Sequence, residues 1–189
     1  MLNRIVLLSS LIPLLAVSYC FGLAETEPLV EPADFPVLAP TDLMSQETMR
    51  VIEMLETLHF NNQEISDEVF IDLIRKFMES LDYNKLYFLQ SDEDRFIDTF
   101  GSRLSMQLRH KGDLNAAFAI YETYRTIALN RINSNLELLK GEWTFEAEDE
   151  YEYDRTESPG ATSKEDADKL WTKRLKQEML QELLNDKTI

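Results

Sequence analysis

A dense group of carboxylates between residues 146 and 154 offers the first side chains that could do chemistry. Carboxylate oxygens are the ligands that Ca²⁺ prefers in proteins. The segment lacks the Asp-x-Asp-x-Asp-Gly pattern of a calcium loop, so we favour a solvated acidic connector over a metal site. The acids are Glu146, Glu148, Asp149, Glu150, Glu152 and Asp154.

Other candidate site residues also have a simpler structural interpretation. The acids of Ser91–Asp94 could bind a cation, but capping of a helix start explains them more simply. His59 is interpreted as a residue that caps or packs at a helix end, and no partner suggests catalysis. With two histidines and one cysteine, a Cys- or His-based zinc site is excluded. We predict no cofactor and nominate no catalytic or metal-binding residue.

Aromatic side chains accompany the acids, and a tryptophan lies on the predicted last helix. The aromatic residues of the connector either form a groove for a peptide or partner helix or pack the connector across the helices, and we favour the packing. The tryptophan and its basic neighbours form either one wall of an interface or a core residue beside solvated bases. The candidate interface residues are Trp143, Phe145, Tyr151, Tyr153, Trp171 and Arg174.

The charge of the chain excludes several classes of partner. The 35 acids outnumber the 19 bases and give a net charge of -16. Nucleic-acid binding requires Lys and Arg to neutralise phosphates, and an anionic membrane surface repels such a chain in the same way. The hydrophobic share of 44% is sufficient for a folded core.

The N-terminus has the pattern of a secretory signal peptide. Arg4 precedes an apolar stretch over residues 5–19, and Gly22 and Ala24 provide small residues before a cleavage point. The stretch is shorter than the roughly 20 residues of a spanning helix. We predict cleavage after Ala24 and export to the periplasm, with no membrane attachment afterwards. The alternative is a lipid anchor on Cys20, which is disfavoured by the bulky residue before it.

The rest of the chain divides into a short leader and one helical domain. Residues 25–40 carry a proline at every fourth position from Pro28 to Pro40, which favours an extended leader. Residues 41–189 form the domain.

Within this domain, apolar residues recur at three- and four-residue spacing and predict about five helices. These helices run from Thr41 to His59, from Ser66 to Leu81, from Asp92 to Lys111 with Ser91 as N-cap, from Leu114 to about Lys140, and from Ser163 onward.

No segment alternates with period two, so a sheet is not expected. The predicted fold is all-α, an antiparallel helical bundle with an extended acidic and aromatic connector before the last helix.

The stretch LDYNKLYFLQSDEDRF, residues 81–96, changes character twice between two helices. Asp82 and Asn84 provide turn chemistry, and the apolar residues 86–89 must be buried. The stretch resembles the N-terminal domain of bacterial tail-specific proteases, also called carboxy-terminal processing peptidases. Residues 59–60, 151–155 and 170–176 resemble further family segments in the same order. Ser158–Ala161 departs from the family, which often has an aromatic residue after the proline.

The resemblance implies that a PDZ-like domain and a protease core with a Ser–Lys dyad accompany such a domain, in cis or in trans. Neither is expected within these residues. We therefore interpret the chain as a non-catalytic scaffold or docking domain, for which an adaptor protein is a further candidate partner. Two alternatives remain: a truncated record of a complete serine-type endopeptidase, and an unrelated exported helical interaction module.

Overall fold

A computed structural model of the chain describes residues 35–58, 64–146 and 150–186. Five α-helices occur in this part of the chain: α1 (Asp42–Leu58), α2 (Asp67–Leu81), α3 (Gln90–Lys111), α4 (Asn115–Leu138) and α5 (Lys164–Asp186). The described residues contain no strand, and one isolated parallel bridge joins Leu89 to Ala161. The prediction of an all-α fold is confirmed. The predicted signal peptide and His59 lie outside the described residues.

Helix α3 is the centre of the bundle. Helices α1, α2 and α4 pack against it, α2 also packs against α4, and α5 packs against α4. Each large apolar side chain that is removed from water contributes roughly 1.5–3 kcal/mol. The core residues are Ile52, Phe70, Ile74, Met78, Phe88, Phe96, Leu104, Leu108, Ala116 and Ile120.

Helix α2 shows how the sequence pattern produces this packing. Phe70, Ile74 and Met78 follow one another at intervals of four residues, and all three are buried. Residues at this spacing lie on one face of a helix. Asp67 and Glu68 occupy the first turn, where the partial positive charge of the helix end favours acids.

The start of α3 differs from the prediction. The helix begins at Gln90, with Leu89 as its N-cap, so Ser91 lies inside the first turn and is not the cap. The reason is that the chain before the helix is already held in place: the backbone N–H of Gln90 donates to the carbonyl of Ala161 at 3.0 Å. Asp92 takes the capping role by accepting the backbone N–H of Leu89 at 3.0 Å.

The turn between α3 and α4 combines a left-handed glycine with an aspartate that accepts a backbone N–H. Gly112 adopts a left-handed conformation with φ of 56°, which costs little without a Cβ. The Asp113 carboxylate accepts the backbone N–H of Asn115 at 2.9 Å. A Cβ on Gly112 would meet the carbonyl oxygen of Ser45 in α1 at 2.0 Å. The turn therefore also sets how closely α1 approaches the α3–α4 corner.

We expect Gly112→Ala to lower the free energy of unfolding by about 3 kcal/mol, since it adds left-handed strain and a backbone collision. Urea denaturation followed by circular dichroism measures the change. The matched control is Gly101→Ala within α3, where a Cβ would meet Ile71 at an ordinary 3.5 Å. That control should be neutral or stabilising by up to about 1 kcal/mol. Equal effects of the two substitutions would contradict the assigned role of Gly112.

In the described part of the chain, no helix is both long and apolar enough to cross a lipid bilayer.

Candidate docking surface and the loop that positions it

The loop between α2 and α3 is organised by one buried carboxylate. Asp82 is 6% exposed, and its oxygens accept three backbone N–H groups, from Leu86 at 2.8 Å, Tyr87 at 2.8 Å and Phe88 at 2.9 Å. Hydrogen bonds to a charged acceptor are about twice as strong as neutral ones. The carboxylate thus satisfies three donors of a segment that turns back into the core.

The turn inside this loop requires an unusual backbone conformation. Lys85 has φ of 52°, and its N–H donates to the carbonyl of Asp82 at 3.0 Å. This conformation is uncommon for a residue with a side chain. It reverses the chain so that Leu86 and Phe88 enter the core.

Trp171 of α5 fixes the same loop from the other side. Its indole Nε1 donates to the carbonyl of Leu86 at 2.8 Å, and the residue is buried. The ring of Tyr87 lies 5.3 Å from the Trp171 ring and 5.2 Å from that of Tyr124 in α4. Burial raises the pKa of Tyr87 above its ordinary value. The loop, α4 and α5 therefore meet at one aromatic cluster. We call Asp82, residues 86–88 and Trp171 the loop lock.

Two arginines lie against the Trp171 ring. The guanidinium carbon of Arg174 is 5.0 Å from the ring centroid, and that of Arg131 is 5.7 Å from it. Arg131 pairs with Asp168 at 2.7 Å and Arg174 with Glu178 at 2.8 Å. Burial opposes the charge of Arg174, but the hydrogen bond that Arg174 donates to Glu178 and the negative charge of that carboxylate together raise the pKa of Arg174.

The pair between α4 and α5 also affects the titration of its acid. Partial burial alone would raise the pKa of Asp168, but the hydrogen bonds from Arg131 and Lys164 and the positive charges of these two residues together lower that pKa. The pair adds a polar contact to the α4–α5 packing.

The candidate interface residues fall into two groups. Tyr151 lies near Arg174 and contacts Tyr153 with ring centroids 6.3 Å apart, and Tyr153 is 78% exposed. Burial raises the pKa of Tyr151, and the charge of Arg174 opposes the shift. These two connector residues therefore adjoin α5 at Arg174, which lies against the Trp171 ring. No ring contact among the described residues joins Trp143 or Phe145 to them.

Trp143 and Phe145 lie at the other end of the connector. Phe145 is 36% exposed, and the buried indole nitrogen of Trp143 has no hydrogen-bond partner in the described part of the chain. The structure thus brings four of the six candidate residues together. Trp171 lies in the interior, as in the alternative that treats it as a core tryptophan.

A second polar cluster was missed in the sequence. Arg109 of α3 contacts the Glu56 carboxylate of α1 at 2.9 Å and that of Glu64 at 3.1 Å, and it donates to the carbonyl of Ile65. Its guanidinium carbon also lies 5.0 Å from the ring centroid of Phe70. The cluster ties α1 and the start of α2 to α3. The Glu56 and Ile65 partners of Arg109 are 53 and 44 residues away in the sequence, so no local pattern identifies this cluster.

The surface between α1 and α2 was also missed. Both helices pack against α3, and a groove of about 670 Å³ lies between them. The lining of this groove is mostly apolar. The three- and four-residue spacing of apolar residues predicts one apolar face for α1. In the structure, Ile52 is the α1 residue that is buried.

Metal binding finds no support in the described ranges, where no three His, Cys, Asp or Glu side chains converge.

Comparison with known families identifies the family of this domain. The family model described as "Tail specific protease N-terminal domain" matches residues 51–189, and the chain belongs to this family. A tail-specific protease of Haemophilus influenzae is 31% identical to the chain over 182 residues. The match covers 96% of the chain, and the chain spans 25% of the length of that relative.

Proposed function

We propose that the chain acts as a non-catalytic helical scaffold and docking domain of an exported tail-specific protease. The observation that carries this proposal is the match of the N-terminal domain model over residues 51–189. The loop lock supports it, because it makes the bundle a defined body on which other domains can be positioned. The relative that is named a tail-specific protease is four times as long as the matched part.

The proposed partners are a PDZ-like domain and a Ser–Lys protease core, in cis or in trans. In this assignment, peptide-bond cleavage belongs to the core and not to the residues described above. An adaptor protein is a further candidate partner. The proposed location is the periplasm, reached through the predicted signal peptide at residues 1–24.

A domain exchange tests the scaffold role. The segment of the Haemophilus influenzae relative that aligns with this chain is replaced by this chain, and cleavage of an unstructured protein with an apolar C-terminus is followed by gel electrophoresis. We expect the relative without its segment to lose activity and the chimera to recover at least a tenth of it, since the scaffold positions a core that does the chemistry.

Two controls distinguish the possible explanations of the activity of the chimera. A chimera with Asp82→Ala should lose the recovered activity, because the loop lock fails. The chain alone should not cleave the same substrate. Cleavage by the chain alone would favour the alternative of a complete serine-type endopeptidase, and an inactive but folded chimera would contradict the scaffold role.

A further inference from the structure

The groove between α1 and α2 has an apolar floor and apolar walls. Its floor consists of Ile52, Phe70 and Leu108, which are buried core residues of three different helices. The groove exists because both helices contact α3 more closely than each other. Its lining includes Glu47, Asp72 and Lys76, so the polar groups lie on α1 and α2.

The walls of the groove expose large apolar side chains to solvent. Val51 and Leu55 of α1 are 54% and 49% exposed, and Val69 and Leu73 of α2 are 56% and 50% exposed. A second recess of about 300 Å³ continues the surface along α1 to Leu58. Isolated exposed apolar residues are ordinary, but a contiguous apolar surface marks an interaction site.

The charge of the two helices indicates what can occupy the groove. Together α1 and α2 carry eight acids and three bases. Two of the bases are paired with acids, Arg75 with Glu93 at 2.9 Å and Lys76 with Glu79 at 2.8 Å. The groove is therefore an apolar channel in acidic surroundings. A second copy of the chain would bring two acidic surfaces together, which like-charge repulsion opposes.

We propose that this groove binds one amphipathic helix of a partner polypeptide, with its apolar face in the groove and Lys or Arg on its flanks. The wall formed by residues 44–58 of α1 is about 21 Å long at 1.5 Å per residue, which matches a partner helix of about four turns. Helix-in-groove binding of this kind uses apolar anchors at three- and four-residue spacing. The inference rests on the proposed docking role and specifies the partner for one of its surfaces.

Two synthetic 15-residue helical peptides test the proposal. Both carry the same leucine face, and one has lysine and the other glutamate on its flanks. Fluorescence anisotropy with the purified full chain should show the lysine peptide bound at least tenfold more tightly than the glutamate peptide. The double variant Val51→Glu with Leu73→Glu should weaken binding of the lysine peptide at least tenfold, whereas Met106→Glu on α3, which is 56% exposed, should leave it unchanged.

Two charge-reversal variants distinguish the effect of acids at the groove from the effect of the overall negative charge of the chain. Glu47→Lys with Asp72→Lys should weaken lysine-peptide binding at least tenfold, and Asp98→Lys with Glu165→Lys, which makes the same change in net charge, should weaken it less than threefold. Equal losses would overturn the proposal, because binding would then follow net charge alone. Equal affinity for the two peptides, or no binding of either, would also overturn it.

Sedimentation measurements of the oligomeric state test whether a second copy of the chain occupies the groove. The chain should remain monomeric, and a dimer that Val51→Glu dissociates would assign the groove to a second copy and overturn the proposal. The peptide assay contains no protease core, so its failure is distinguishable from failure of the scaffold role. If the chimera regains proteolysis but the chain binds neither peptide, the scaffold role stands and the proposed helix-binding role of the groove is wrong.

Discussion

Replacing Asp82 with alanine is expected to lower the free energy of unfolding by about 4 kcal/mol, since each buried donor left without a partner costs about 1–3 kcal/mol. Three backbone N–H groups lose their acceptor, and those of Leu86 and Phe88 are buried. Some of the loss is recovered where water reaches Tyr87, which is only partly buried. Urea denaturation followed by circular dichroism gives the value.

Two further variants make this measurement specific. Asp82→Asn keeps the shape and one oxygen acceptor, so its cost should be about half, with an amide donor facing one backbone N–H. Asp98→Asn on the exposed surface of α3 should change stability by less than about 0.5 kcal/mol. A loss below about 1 kcal/mol for Asp82→Ala would show that the loop does not depend on the carboxylate.

Trp171→Ala is expected to lower the free energy of unfolding by a similar amount, about 4 kcal/mol, as measured for large aromatic residues in cores. The substitution leaves a cavity beside Tyr87 and deprives the Leu86 carbonyl of its 2.8 Å donor. Because α5 makes its helix contacts with α4, loss of Trp171 should also expose α5 to protease. Limited proteolysis under native conditions detects that exposure before global unfolding.

Conservative variants separate packing from hydrogen bonding at this position. Trp171→Phe keeps an aromatic ring against Tyr87 but removes the N–H, and we expect a cost of about 1–2 kcal/mol. Trp143→Phe is the matched control, because the chain has only two tryptophans and this one donates to no group among the described residues. If Trp171→Phe and Trp143→Phe cost the same, the indole N–H of Trp171 does not hold the loop.

The helices of this fold follow directly from the sequence, because their signals are local. The four-residue spacing of Phe70, Ile74 and Met78 identifies the buried face of α2. The Lys-Gly-Asp sequence at residues 111–113 identifies the end of α3, where only glycine takes the left-handed conformation at low cost. The apolar run of residues 86–89 was predicted to be buried. Leu86 and Phe88 are buried, whereas Tyr87 and Leu89 are only partly buried.

The parts that were missed depend on residues that are distant in the sequence. Ser91 is a residue type that N-caps favour. The helix nevertheless begins one residue earlier, at Gln90, whose backbone N–H donates to the Ala161 carbonyl. Asp82 was recognised as a turn residue, but its burial and its three backbone N–H donors were not predicted. The groove could not be predicted, since an amphipathic pattern gives the apolar face of α1 and not whether a neighbour covers it.

The loop lock also has a consequence for the order in which the chain assembles. The hydrogen bond from Trp171 to the Leu86 carbonyl joins residues 85 positions apart. Closing such a loop costs about 2 kcal/mol more in chain entropy than closing one of about ten residues. The α2–α3 and α3–α4 pairs close much shorter loops. Folding therefore favours nucleation among α2, α3 and α4. The indole of Trp171 in α5 then binds a loop that α2, α3 and α4 have already ordered.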